Sequence, residues 1–134
     1  MTVFIDSNVP MYVAGKAHPN REPSLRLLEK VRSGAVEGVT STEVLQEILF
    51  RYAALGQVDV GCSVYDLFAQ LCARVLPVTL ADTDRARAML PTLEGVSVRD
   101  AVHAAVMLTN GITKIATFDQ GFDRIPGVRR MKLD

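Results

Sequence analysis

Cysteine is scarce, net charge is absent and no long apolar run occurs, and each shortage closes off a class of protein. Cys62 and Cys72 are the only cysteines, ten residues apart within one helical pattern. At about 1.5 Å rise per residue they would stand about 15 Å apart, whereas bridged Cα atoms lie within about 7 Å, so a disulfide between them is excluded. With no Cys-x-x-Cys pair, neither thiol suggests zinc or redox chemistry, and both are expected to be buried or half-buried. Lysine plus arginine number 15 and aspartate plus glutamate 15, a formal net charge of +0. Such a chain does not hold nucleic acid through a large uniform basic field, so any contact of that kind must be local. No apolar stretch approaches the ~20 residues needed to cross a bilayer, and Met1-Thr2-Val3-Phe4-Ile5-Asp6 lacks the basic start of a signal segment. A soluble, cytoplasmic protein without membrane association is expected.

What is present is an ordinary globular composition, 49% hydrophobic with mixed charges over 134 residues. That length fits one domain, 1–134, able to bury roughly two-thirds of its unfolded surface. Val3-Phe4-Ile5 reads as a buried strand that stops at Asp6-Ser7-Asn8, residues that cap a following helix. After a loop from Gly15 to Pro23, Leu25, Leu27, Leu28 and Val31 recur at helical spacing and Gly34 closes that helix. A strand is expected from Val36 to Thr40, and then a helix opened by Ser41, with Val44, Leu45, Ile48, Leu49 and Tyr52 on one face and Gly56 at its end. Val60, Val64, Leu67, Phe68, Leu71 and Val75 define a further helix. Val75-Leu76-Pro77-Val78 reads as a short strand, Ala81 to Leu90 as an amphipathic helix, and Ser97 as the start of the most apolar helix. Ile115-Ala116-Thr117 is the next strand, with Val128 to Leu133 as a final edge strand. Short strands alternating with helices specify an α/β fold with a short parallel sheet of four to five strands, since parallel neighbours need helical crossovers.

In an open parallel sheet, ligands bind beyond the carboxyl ends of the strands, where the strand order reverses. Asp6 and Asp119 follow strands there, Asp100 sits in the first turn of the apolar helix, and Glu47 lies on the helix after the second strand. Acids gathered in this way repel one another unless a cation neutralises them, and hard oxygen ligands favour Mg²⁺, Mn²⁺ or Ca²⁺ over zinc. Each acid also has a structural reading. Asp6 suits an N-cap, Ser97-x-x-Asp100 is a capping box, and Asp119 and Asp123 suit Asx turns. Glu47 falls with Glu43 away from the apolar face of its helix, as a solvated pair would, and Glu43 reads as the capping-box partner of Thr40. His103, three residues after Asp100, invites a general-base role but reads as a packing or supporting residue. His18 has no catalytic reading.

Four stretches carry a resemblance: Val3-Phe4-Ile5-Asp6-Ser7-Asn8, Ser41-Thr42-Glu43-Val44-Leu45-Gln46-Glu47, Ser97-Val98-Arg99-Asp100-Ala101-Val102-His103-Ala104-Ala105 and Ala116-Thr117-Phe118-Asp119-Gln120-Gly121-Phe122. In this order and spacing they resemble the signature blocks of PIN domains, and among these the VapC toxins. The resemblance spans nearly the whole chain and implies a PIN-like three-layer fold. It also implies metal-binding acids at Asp6, Glu47, Asp100 and Asp119, supported by Ser7, Asn8 and Thr117. The Gln46-Glu47 pair selects Glu47 over Glu43, and Ser7 replaces the more usual threonine while keeping its hydroxyl.

The function so implied is that of a Mg²⁺- or Mn²⁺-dependent endoribonuclease, a hydrolase leaving 5′-phosphate and 3′-hydroxyl ends. The choice of RNA rests on the resemblance, because hydrolysis by an activated water needs no ribose 2′-hydroxyl. Arg51, Arg99, Arg124 and Arg129 are candidate phosphate contacts. A phosphotransferase using Asp6 as nucleophile would want a second aspartate where Asn8 stands. A non-catalytic PIN-like binding module would have lost acids, and all four are present. A housekeeping RNA-processing nuclease remains the alternative to a toxin. The resemblance further implies a homodimer and a cognate antitoxin, with the apolar faces of the helices around Val44 to Tyr52 and Val60 to Leu71 as a groove for it.

Overall fold

The computed structural model describes all residues, 1–134. The strands are β1 (Thr2–Ile5), β2 (Glu37–Ser41), β3 (Arg74–Leu76), β4 (Lys114–Ala116) and β5 (Arg129–Arg130). Between them run α1 (Asn8–Ala14), α2 (Arg21–Arg32), α3 (Thr42–Ala54), α4 (Val58–Leu71), α5 (Leu80–Met89) and α6 (Val98–Thr109). The five strands form one sheet in the order β3-β2-β1-β4-β5, with every neighbouring pair parallel. This is the parallel α/β sheet that the alternation of strands and helices specified, in the three-layer form that the resemblance implied.

The central place of β1 accounts for its sequence. Val3, Phe4 and Ile5 are each 0% exposed, because a parallel strand covered on both faces has no solvent side on which to place a polar residue. Helices α1 to α4 carry the chain outward from β1 through β2 to β3, and α5 and α6 return it across the sheet to β4. Right-handed crossovers running in opposite directions fall on opposite faces, so the sheet lies between two helical layers. Within the layers α1 packs on α2, α3 on α4 and α5 on α6. The reversal of direction falls between β1 and β4, which opens a crevice at their carboxyl ends.

Several local expectations are corrected. Ser41 is the N-cap of α3, its side chain accepting from the Val44 N–H. Thr40 instead donates its hydroxyl to the Ile5 carbonyl at 3.0 Å, so it makes no capping box with Glu43; a buried hydroxyl between two strands bonds the backbone within reach. Helix α2 begins at Arg21, inside the expected loop, and α4 ends at Leu71, leaving Val75 to β3. The last strand is only Arg129–Arg130, because only Lys114 and Ile115 of the short β4 offer it partners. Cys72 is buried but Cys62 is exposed, on the outer side of α4. The apolar helical faces also divide. Val44, Leu45, Ile48, Tyr52, Val64 and Phe68 are core, whereas Leu49, Val60 and Leu67 join Phe50, Leu55 and Val58 at the surface.

Candidate metal centre

The end of β1 is bound to the end of β4, and that junction builds the site. The Asp6 N–H donates to the Ala116 carbonyl at 3.1 Å, which places Asp6 beside the residues that follow β4. Thr117 Oγ1 donates to Asp6 Oδ2 at 2.8 Å and accepts from Asn8 Nδ2 and from the Asp119 N–H, both at 3.0 Å. The Ser7 N–H holds Asp6 Oδ1 at 2.7 Å. One threonine hydroxyl thus ties together α1, β1 and the loop carrying Asp119.

Glu47 comes from α3 and is 5% exposed, against the expectation of a solvated pair with Glu43. The polar side of α3 faces the crevice rather than bulk water, which a helical pattern alone cannot reveal. Glu47 Oε1 is hydrogen bonded to His103 Nε2, while Oε2 accepts from Ser7 Oγ at 3.4 Å and from Arg99 at 3.5 Å. Asp100 stands in the first turn of α6, where its N–H donates to Ser97 Oγ at 3.1 Å. Its carboxyl makes no return bond to the cap and is left to face Asp119, whose Oδ1 takes the Gly121 N–H at 2.8 Å. That Asx turn is the structural reading of Asp119, and it aims the carboxylate into the crevice rather than away from it.

Electrostatics follow from this crowding. Burial pushes the Asp6 carboxyl above its usual range, partly offset by His103 and the Thr117 hydroxyl. Burial, then the hydrogen bond and charge of Asp119, push Asp100 up to about 7. Burial works against ionisation of Glu47 as well, but His103 and the arginines Arg99 and Arg51 outweigh it and hold this carboxyl low. A cavity of about 600 Å³ receives Asp6, Glu47, Asp100 and Asp119, with Arg51 and Arg99 in its lining. A methyl group at Gly121 would stand 3.0 Å from Asp100 Oδ2 and 3.1 Å from Asp119 Oδ1. Glycine there keeps the space between the two carboxyls open. The donor set therefore fits a divalent cation: hard oxygens, an open space between them, and excess negative charge at a cost that a cation removes.

All four expected acids line the cavity; Ser7 bonds Asp6 and Glu47, Asn8 and Thr117 bond Asp6, and Thr117 also accepts from the Asp119 N–H. Of the arginines, Arg51 and Arg99 line the cavity; Arg124 bonds the Glu94 carbonyl at 3.4 Å and Arg129 lies on the edge strand. His103 is 1% exposed, both packed and bonded to an acid of the site. Gly121 carries no role in the sequence reading, although it lies inside the fourth matching stretch. His18 packs against Tyr12 with ring centroids 4.6 Å apart.

A parallel sheet with acids gathered at its switch point is an α/β architecture suited to a metal site, and the sequence matches the PIN domain family over residues 3–128. It is 40% identical over 129 residues to ribonuclease VapC13 of Mycobacterium tuberculosis, covering 96% of this chain and 98% of that one. It is 36% identical to ribonuclease VapC23 of the same species over 117 residues, 87% and 92% of the two chains. The chain belongs to the PIN-domain family, in its VapC group. Among solved structures, VapBC2 from Rickettsia felis bound to a DNA fragment from its promoter superimposes with a TM-score of 0.78 at 19% identity over 100% of both chains. Mycobacterium tuberculosis VapC20, a sarcin-ricin loop cleaving toxin, does so with a TM-score of 0.75 at 21% identity, covering 88% and 90%.

Proposed function

We propose that the whole chain, 1–134, acts as one PIN unit, a divalent-metal-dependent endoribonuclease and the toxin of a toxin-antitoxin pair. Asp6, Glu47, Asp100 and Asp119 are its metal-binding acids, with Mg²⁺ or Mn²⁺ as the ion and the cytoplasm as its place of action. The observation that carries this reading is the convergence of four acids from separate elements on one cavity at the switch point of the sheet. The ribonuclease names of its VapC relatives support the choice of RNA. When bound, the ion supplies charge neutralisation, polarises a phosphate oxygen and lowers the pKa of the attacking water.

The chain's own groups do the rest. Thr117 and the Ser7 N–H fix the rotamer of Asp6, while Ser7 Oγ and Arg99 contact Glu47. Arg51 and Arg99 supply positive charge at the cavity wall, where a phosphodiester backbone would pass, and a chain of zero net charge needs such local contacts. Asp6→Asn preserves size and removes one charge from the cluster. Cleavage of RNA should collapse while the unfolding temperature holds or rises; retained metal-stimulated cleavage by rigorously purified Asp6→Asn protein refutes the site.

The partner reading is a homodimer that accepts a segment of a cognate antitoxin. Its support is the exposed apolar surface of the α3–α4 hairpin, where Phe50 is 62% exposed, Leu55 66% and Leu67 70%, more than scattered surface apolar residues account for. Sedimentation of the purified chain, with and without the co-expressed product of any small gene beside its own, tests this. A monomer at micromolar concentration with no co-purifying protein counts against both partners.

A further inference from the structure

His103 is the side chain of the cluster to which the four-acid reading gives no task. Its ring is buried between Phe4, with centroids 5.8 Å apart, and Phe122, at 6.4 Å and tilted by only 23°. Nε2 is bonded to Glu47 Oε1 and stands 3.8 Å from Asp6 Oδ1. Nδ1 is buried and has no hydrogen-bond partner. We propose that His103 is a positioning residue, a fixed N–H donor that orients the Glu47 carboxylate, and neither a metal ligand nor a general base.

The inference rests on the metal-nuclease reading of this site and assigns a division of labour within it. Nε2 lies within 4.8 Å of ligand oxygens of Asp6 and Glu47, close enough to share an ion with them, but to ligate a metal Nε2 must give up its proton and Nδ1 must carry one. A metal-bound histidine almost always donates its other ring N–H to an acceptor, and Nδ1 has none here. A ring N–H left unpaired in the core carries a desolvation cost that the Nε2–H tautomer avoids. A general base must reach the reacting atoms, and His103 does not line the cavity.

What the ring can do is hold Glu47. The other ties of that carboxylate, from Ser7 at 3.4 Å and from the half-exposed Arg99 at 3.5 Å, are long and act on Oε2. His103 is thus the buried fixed point at Oε1, as Thr117 is for Asp6. Placing it one turn after Asp100 on α6 lets a single helix present one acid and fix another that belongs to α3.

Two measurements need only the wild-type chain. In the metal-free protein, ¹⁵N shifts of His103 should show the proton on Nε2, and with Mn²⁺ bound the electron spin echo should show no directly ligated imidazole nitrogen. An Nε2 without a proton, or a directly ligated nitrogen, overturns the proposal. His103→Leu keeps an apolar body without a donor, and His103→Gln keeps an N–H near the position of Nε2. In the leucine variant the affinity for Mn²⁺, read by calorimetry, and kcat for RNA cleavage should each fall about 10- to 100-fold, with KM within about twofold of wild type. The glutamine variant should recover most of both, although both variants lose the packing against Phe4 and Phe122. Leucine indistinguishable from wild type, or glutamine as impaired as leucine, overturns the positioning role while leaving the nuclease intact. Wild-type protein that neither binds Mn²⁺ nor cleaves RNA overturns the metal-nuclease reading and this one with it.

Discussion

Asp100→Asn should stabilise the metal-free protein at neutral and alkaline pH and abolish its response to metal. Burial and the neighbouring Asp119 move the Asp100 carboxyl from 3.8 to about 7. At about 1.4 kcal/mol for each pH unit, holding it ionised in the folded state costs about 4 kcal/mol. Part of that repulsion is relieved at Asp119, which is exposed and screened by water, so about 2 kcal/mol is the expected gain from the neutral amide. The amide also retains an N–H for the Asp119 oxygens. The sign with pH follows from the direction of the shift. Stability contributed by protonated Asp100 is fully present below 3.8 and is lost as pH rises through about 7. The gap between variant and wild type should therefore be widest at about pH 8 and close as pH falls toward about 4. Urea unfolding with a chelator present, over a series of pH values, measures it. Added Mn²⁺ should then raise the wild type by about 2.7 kcal/mol at a hundredfold excess over Kd and leave the variant unmoved. A variant less stable than wild type at about pH 8, or a gap that does not change with pH, refutes the reasoning.

The choice between the two glutamates of α3 is open to a direct comparison: Glu47→Gln should weaken the thermal shift produced by Mn²⁺ far more than Glu43→Gln, and equal effects would mean that the wrong glutamate is assigned. Gly38→Ala probes how closely α2 lies on β2, since an added methyl would stand 2.8 Å from Val31 Cγ1 and 2.9 Å from Ile5 Cδ1. Such overpacking should lower the unfolding free energy by about 1–3 kcal/mol, measured by urea titration, with no change in the metal response.

Much of the site could be read from the chain because it depends on element ends. Asp6 directly follows a strand whose apolar run fixes its boundary, and Asp100 follows the cap Ser97 by a fixed helical offset, so both positions are set by local sequence. Asp119 lies three residues beyond the end of β4, also within reach of local sequence. Glu47 was different. Periodicity placed it on the polar side of α3, and only its likeness to a known stretch distinguished it from Glu43. The sequence pattern says which face of a helix is polar, but not whether water or a cluster of acids lies opposite.

The sequence by itself determined the order of strands and helices, the caps at Ser41 and Ser97, and the buried character of β1 and α6, because each depends on residues close together in the chain. It did not determine which surface apolar residues of α3 and α4 stay exposed, nor that Gly121 keeps the space between Asp100 and Asp119 open. Nor did it determine that Thr117 binds Asp6 across 111 residues or that His103 reaches Glu47 across 56. Those contacts join side chains from separate elements, and their distances exist only once the return crossover through α5 and α6 has set β4 beside β1.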